Sequence, residues 1–302
     1  MTAHFESIEQ LMGDMLGCDY IADRALATVL FLAYRLQKPI FLEGEPGVGK
    51  TEVANVISRL VGTSLIRLQC YEGLDAAAAL YEWDYPRQLL RIRLEERGDL
   101  NRDEIEHIIY SPEFLIKRPL LEALLQSKDK RAVLLIDELD RADEEFEAFL
   151  LEVLSDFQIT IPEIGTVKAH RKPVVIITSN RTRDVHDALK RRCLYHWIEY
   201  PSFEKEYRII MTRLSGIEER FARQITGFMQ EIRKMDFLKK PGVSETIDWT
   251  RALVALHVHY LDRDVVEETL GCILKYHEDI VTFREQVWSD EEKRNRYLEN
   301  TE

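Results

Sequence analysis

From the N-terminus, Ile8, Leu11, Met12, Met15 and Leu16 fall on one helical stripe, and residues 21–37 are apolar enough to predict a second, mostly buried helix that Pro39 ends. The run Ile40, Phe41, Leu42 then predicts a short buried strand, and GEPGVGKT, from Gly44 to Thr51, follows at once. Beyond it Val53, Val56, Ile57, Leu60 and Val61 recur at helix spacing until Gly62 breaks the pattern. Leu65 to Cys70, Ala132 to Ile136 and Val174 to Thr178 are brief, rich in Val, Ile or Leu, and each leads into polar residues, as buried strands do. Between them Phe146, Phe149, Leu150, Val153 and Leu154 keep helical spacing. Buried strands alternating with helices predict an α/β domain with a mainly parallel sheet and a ligand crevice beyond the carboxyl ends of its strands. After Pro201 only helical periodicity remains, through Ile210, Leu214, Phe221, Ile225, Phe228, Met229 and Ile232. The expectation is an α/β domain over 1–201 and a smaller all-helical domain over 202–302.

Two stretches fit this scheme less simply. Between 71 and 120 lies chain that such a core does not need, and Tyr81 to Arg93, with Leu90 and Ile92 alternating against Arg91 and Arg93, predicts a half-buried strand or hairpin. Residues 159–173, ITIPEIGTVKAHRKP, predict a second hairpin.

Composition narrows the function. The chain has 302 residues, 45% of them hydrophobic and 31% charged, which excludes disordered and low-complexity classes. A net charge of −13 argues against duplex nucleic acid or an anionic membrane surface as the main partner. Cys18, Cys70, Cys193 and Cys272 show no C-x-x-C spacing, and His257 and His259, two apart in a helical stretch, do not share a face, so neither a disulfide framework nor a zinc site is expected. An acidic N-terminus without a signal-peptide core, and no apolar run of membrane-spanning length, point to a cytoplasmic protein without a membrane partner.

The chemistry starts at Gly44. In G-x-x-x-x-G-K-[ST], between a strand and a helix, backbone N–H groups turn inward around phosphate oxygens at a helix N-terminus whose dipole favours anions. Gly44, Glu45, Pro46, Gly47, Val48, Gly49, Lys50, Thr51 and Glu52 would form this cradle for ATP, with Lys50 reaching the β and γ phosphates and the Thr51 hydroxyl coordinating Mg²⁺. A second buried strand delivers Asp137 and Glu138 to the same crevice: Asp137 to hold the Mg²⁺ hydration shell, Glu138 to orient and deprotonate the attacking water. A third, VVIITSN, ends in Ser179 and Asn180, whose uncharged amide would hydrogen-bond the water or the γ-phosphate.

These three motifs in this order resemble the AAA+ ATPases, with a P-loop core on a parallel five-stranded sheet and a helical lid. DELDRAD at 137–143, QCYEGLDAAAALYEWDYPRQLL at 69–90 and ALKRRC at 188–193 are similar to the MoxR type, and the 69–90 segment to its CoxD-like members. The resemblance implies that Arg192, or its close rival Arg191, reaches as a finger into a neighbouring subunit's site, and that Arg251 in DWTRAL senses the γ-phosphate within its own subunit. It implies a subunit-interface role for Arg141, and a projecting insertion whose Trp83, Tyr85 and Arg87 contact a client at a central pore. It further implies a ring, a homo-hexamer, that remodels a protein client such as a metalloenzyme with a partner carrying a von Willebrand A domain. Two other classes stay open on the residues: a nucleic-acid-dependent AAA+ translocase and a non-motor P-loop small-molecule kinase.

Overall fold

The computed structural model describes residues 5–95, 102–126 and 131–289. Its strands are β1 (Ile40–Gly44), β2 (Leu65–Gln69), β3 (Tyr81–Trp83), β4 (Leu115–Lys117), β5 (Val133–Asp137), β6 (Gln158–Ile161), β7 (Gly165–Lys168), β8 (Val174–Ser179) and β9 (Leu194–Ile198). The helices run from α1 (Ile8–Leu16), α2 (Arg24–Leu36), α3 (Lys50–Val61) and α4 (Ala76–Leu80) through α5 (Tyr85–Glu95), α6 (Arg102–Ile109), α7 (Pro119–Leu125), α8 (Glu144–Asp156) and α9 (Asp187–Lys190). They continue as α10 (Phe203–Arg213), α11 (Glu219–Ile232), α12 (Val243–Ala255), α13 (Arg263–Ile273) and α14 (His277–Phe283). No helix among the described residues is long and apolar enough to cross a membrane.

The chain forms two compact units whose segments interleave. Among the described residues, one holds those up to Asp14, Arg24–Glu43 and Thr51–Trp197, and the other holds Met15–Asp23, Gly44–Lys50 and those from Ile198 onward.

In the first unit a five-stranded sheet has the order β2, β5, β8, β1, β9, and β2/β5, β5/β8 and β8/β1 pair in parallel. Every residue of β5 and β8 is buried, as expected for central strands covered on both faces. The edge strand β2 instead alternates, burying Ile66 and Leu68 while Arg67 is exposed. Because the strands are parallel and in register (Gln69 opposite Asp137, Leu42 opposite Thr178), their carboxyl ends share one edge. That edge carries the polar residues of the motifs.

The helix predicted over 21–37 is α2, beginning only at Arg24, and it is less buried than its composition suggests, with Leu32 and Leu36 on its exposed side. The hairpin predicted over 159–173 is present as antiparallel β6 and β7.

The strand or hairpin expected over Tyr81–Arg93 is only partly there. Tyr81–Trp83 is a strand, paired antiparallel with Leu115–Lys117, but from Tyr85 the chain is helical. Asp84 decides the switch: its carboxylate accepts the backbone N–H of Arg87 at 3.1 Å, an N-cap contact, and Pro86 in the first turn fits a helix start. Leu90, read as a strand residue, lies with Leu89 and Leu94 on the exposed side of α5.

In the second unit α10 to α14 enclose Phe228, Trp249 and Phe283, with Phe228 5.0 Å from Trp249 and 5.9 Å from Phe283 between ring centroids. Beside this core lies a buried ion pair. The Arg233 guanidinium donates to both Glu206 oxygens at 2.5 and 2.6 Å, and to Thr246 Oγ1 at 3.0 Å. Arg233→Met would leave the Glu206 carboxylate buried without its counter-charge, and is expected to lower stability by about 3–5 kcal/mol. The midpoint of urea unfolding checks this.

Candidate active site

The glycine loop follows from backbone geometry. Gly47 has φ +78° and Gly49 φ +94°, conformations that residues with a Cβ rarely adopt, so the turn requires glycine there. Lys50 opens α3, and its buried ammonium folds back to donate to the carbonyls of Gly44 and Glu45, each at 2.7 Å. Val48 is buried, while the Glu52 carboxylate accepts from Asn55 Nδ2 at 3.0 Å along α3. A buried ammonium on a loop with glycines at its turns places a local positive charge there, as an anion site requires.

Past the loop, the carboxyl ends of β2, β5 and β8 converge. Asp137 Oδ1 accepts from Thr178 Oγ1 at 2.5 Å and Thr51 Oγ1 at 3.1 Å, and Oδ2 accepts from Arg67 at 2.5 Å. Glu138 has φ +55°, left-handed for a residue with a side chain, which costs about 1–3 kcal/mol unless its surroundings hold it. They do: its N–H donates to Thr178 Oγ1 at 2.9 Å, Gln69 donates to Oε2 at 2.9 Å, Arg141 to Oε2 at 3.1 Å, and Asn180 Nδ2 to Oε1 at 3.3 Å. The structure thus brings together Thr51, Asp137, Glu138 and Asn180.

Asp140 binds the neighbouring loop. Its carboxylate accepts from the N–H groups of Asn180 at 3.2 Å and Thr182 at 2.9 Å, and from Thr182 Oγ1 at 2.7 Å, tying the end of β5 to the end of β8. On the next strand, β1, the buried Glu43 carboxylate accepts from Tyr195 at 2.9 Å, Ser179 at 3.4 Å and Lys190 at 3.5 Å. Burial, then the bond to Glu43, pushes the Tyr195 hydroxyl up to about 12. Burial, then the Asp137 charge, likewise pushes the Cys70 thiol up to about 12, so this cysteine at the end of β2 stays protonated and is no nucleophile near pH 7.

Three further arginines named from the sequence, Arg191, Arg192 and Arg251, have partners of their own. Arg191 pairs with Asp187 on its own helix at 3.4 Å, its side chain 81% exposed. Arg192 donates to Ser155 Oγ at 2.9 Å and the Ala188 carbonyl at 3.3 Å. Arg251 is exposed on α12, 3.3 Å from Asp248.

Arg67, Gln69, Thr178 and Asp140 escaped the sequence reading. A signal existed for the first two: Arg67 and Gln69, two apart in a strand, share a face and interrupt an otherwise apolar run.

The sequence profile of the AAA domain (dynein-related subfamily) matches residues 39–193, just over half of the chain, from the residue before β1 to the end of the α9 turn. The chain belongs to this family. As a member of the AAA domain family it is an ATPase, hydrolysing ATP to ADP and phosphate. An uncharacterized protein of Staphylococcus haemolyticus is 28% identical over 230 residues, covering 74% of this chain and 78% of its own length. Midasin of Giardia intestinalis is 27% identical over 256 residues, 75% of this chain but 5% of midasin. Among solved structures, the RuvB Holliday junction branch migration motor of Thermotoga maritima is 16% identical with a TM-score of 0.46, covering 88% of this chain and 75% of that one.

Proposed function

We propose that the chain is one subunit of a homo-hexameric ring that uses ATP hydrolysis to remodel a protein client. Its cradle for the triphosphate is Gly44 to Glu52, with Lys50 as the phosphate-binding cation. The observation that carries hydrolysis, rather than nucleotide storage, is Glu138: a carboxylate fixed by Gln69, Arg141 and Asn180 beside Asp137. A carboxylate so held can take the proton of an attacking water, and Asn180 can orient that water without adding charge.

The donor set at Asp137 fits Mg²⁺. Neighbouring ligands of an octahedral magnesium ion lie about 2.9 Å apart, and Thr51 Oγ1 and Asp137 Oδ1 are 3.1 Å apart, both oxygen donors suited to a hard cation. Bound there, the ion would neutralise charge on the β and γ phosphates.

Two arginines support a shared site. Arg191, mostly exposed and 3.4 Å from its own helix's Asp187, is free to reach a neighbouring subunit, whereas Arg192 is engaged with Ser155, so Arg191 is the better finger of the two. Arg251 would report the γ-phosphate to the helical region, and Arg141 would act at the subunit interface. The motifs at 69–90, 137–143 and 188–193 support the MoxR type, hence a von Willebrand A domain partner and a client such as a metalloenzyme, in the cytoplasm; the exposed Tyr85 and Arg87 would meet the client, whereas Trp83, expected to join them, is buried against Tyr81 and Tyr110 and packs the core instead.

Lys50→Ala tests the reading at its base. The Kd for ATP with magnesium, measured by calorimetry, is expected to rise at least about a hundredfold, the loss of roughly 2.7 kcal/mol of binding; unchanged affinity would overturn it.

A further inference from the structure

The start of α12 presses on the turn of the glycine loop. A Cβ on Gly242 would lie 2.8 Å from the Cα of Gly47, 2.8 Å from the Pro46 carbonyl oxygen and 2.9 Å from the Gly47 carbonyl carbon. These are all backbone atoms, which cannot rotate aside. Seen from the loop, a Cβ on Gly47 would meet Ser244 Oγ at 2.6 Å and Glu245 Oε2 at 2.9 Å. Gly242 itself has φ −85°, open to any residue, so closeness rather than backbone conformation calls for glycine there.

The contact is also directional. The Gly47 carbonyl accepts from the N–H groups of Val243 at 2.9 Å and Ser244 at 3.2 Å, the first two amides of α12. Those amides lack partners within the helix, and the helix dipole leaves them partly positive. No cis peptide occurs among the described residues, and in a planar trans peptide C=O and N–H point opposite ways. Holding the Gly47 oxygen on α12 therefore turns the Val48 N–H away from α12.

The helix start is itself fixed from below. Arg233 Nε donates to the Pro241 carbonyl at 2.7 Å and Nη2 to the Gly242 carbonyl at 3.3 Å, while Glu245 accepts the Gly242 N–H at 2.9 Å. Arg233 in turn is clamped by the fully buried Glu206.

We infer that α12 acts as a template for the phosphate loop: Gly242, with Arg233 and Glu245 behind it, sets the Gly47–Val48 peptide so that the Val48 N–H is pre-aimed at a nucleotide phosphate. This rests on the loop being the nucleotide site. Gly242 and Arg233 are then positioning residues, touching no nucleotide atom. An unheld peptide would have to reorient before each binding event, which weakens affinity by the population of the competent form.

The test is Gly242→Ala in the full chain. The Kd for ADP with magnesium is expected to rise at least about tenfold, and the KM for ATP to rise with it while kcat stays within about twofold, the mark of lost uniform binding. Gly271→Ala on α13, whose Cβ would meet nothing within 4 Å, should leave both constants unchanged. Glu245→Ala adds no atoms but frees the Gly242 N–H, so a smaller rise in the same direction is expected, and it decides the matter if Gly242→Ala does not fold. An unchanged Kd in the folded Gly242→Ala protein, or in Glu245→Ala in its place, overturns the template. If Lys50→Ala still destroys binding in that case, the nucleotide reading survives; if neither change affects binding, both fall.

Discussion

Replacing Glu138 by glutamine is expected to lower kcat for ATP hydrolysis by about 10² to 10⁴-fold, the range of a lost general base, while ATP stays bound with little change in Kd. The substitution is nearly isosteric, and its amide oxygen can still accept from Gln69 or Asn180, so the left-handed backbone at Glu138 keeps its supports. What disappears is the capacity to take a proton. Stopped-flow binding with single-turnover hydrolysis separates the two quantities. Normal turnover would remove Glu138 from its role, and loss of both binding and turnover would show that the residue holds the site rather than works in it.

Still larger is the effect expected from Arg191→Ala together with Arg192→Ala, about 10³ to 10⁵ in kcat, as for arginine fingers in other P-loop enzymes. Neither side chain contributes to a buried network: one is paired along its own short helix and the other with Ser155. Folding should therefore be spared, and thermal unfolding checks it. Mixing this double variant with Glu138→Gln subunits is the sharper experiment. Each preparation alone is expected to be inactive, but an interface where intact Glu138 meets an intact arginine from its neighbour is complete, so a fraction of turnover returns. A mixture as dead as its components would argue that the arginines act within their own chain or not at all. Turnover of the double variant at the wild-type rate would instead favour an ATPase site complete within a single chain.

The strands and the glycine loop were legible because both are local. An apolar run bounded by polar residues, and glycines at fixed offsets before Lys50 and Thr51, need no knowledge of what lies across the sheet. Tyr85–Glu95 misled because Leu90 and Ile92 alternate with arginines as in a strand, while the signal that won, Asp84 three residues before Arg87 with Pro86 between, is a single cap. The polar supports of the site were hidden for a different reason. That Gln69 meets Glu138, or Thr178 meets Asp137, depends on which strand lies beside which, and the order β2, β5, β8, β1, β9 is not written in any one segment. The Gly242 contact is hidden more deeply, since the glycine there serves a loop almost two hundred positions earlier in the chain.

That strand order bears on how the protein is made. Among the described strands, the first in the chain is flanked by the last two, with Ile40 aligned to Ile176 and the Leu194 N–H donating to the Pro39 carbonyl at 2.8 Å. Such distant pairings come late, since loop closure must precede them. A nascent chain therefore displays its glycine turn long before the flanking strands exist to seat it, and cannot draw on nucleotide for early stabilisation; stalled fragments ending before Val174 should emerge unable to retain ATP.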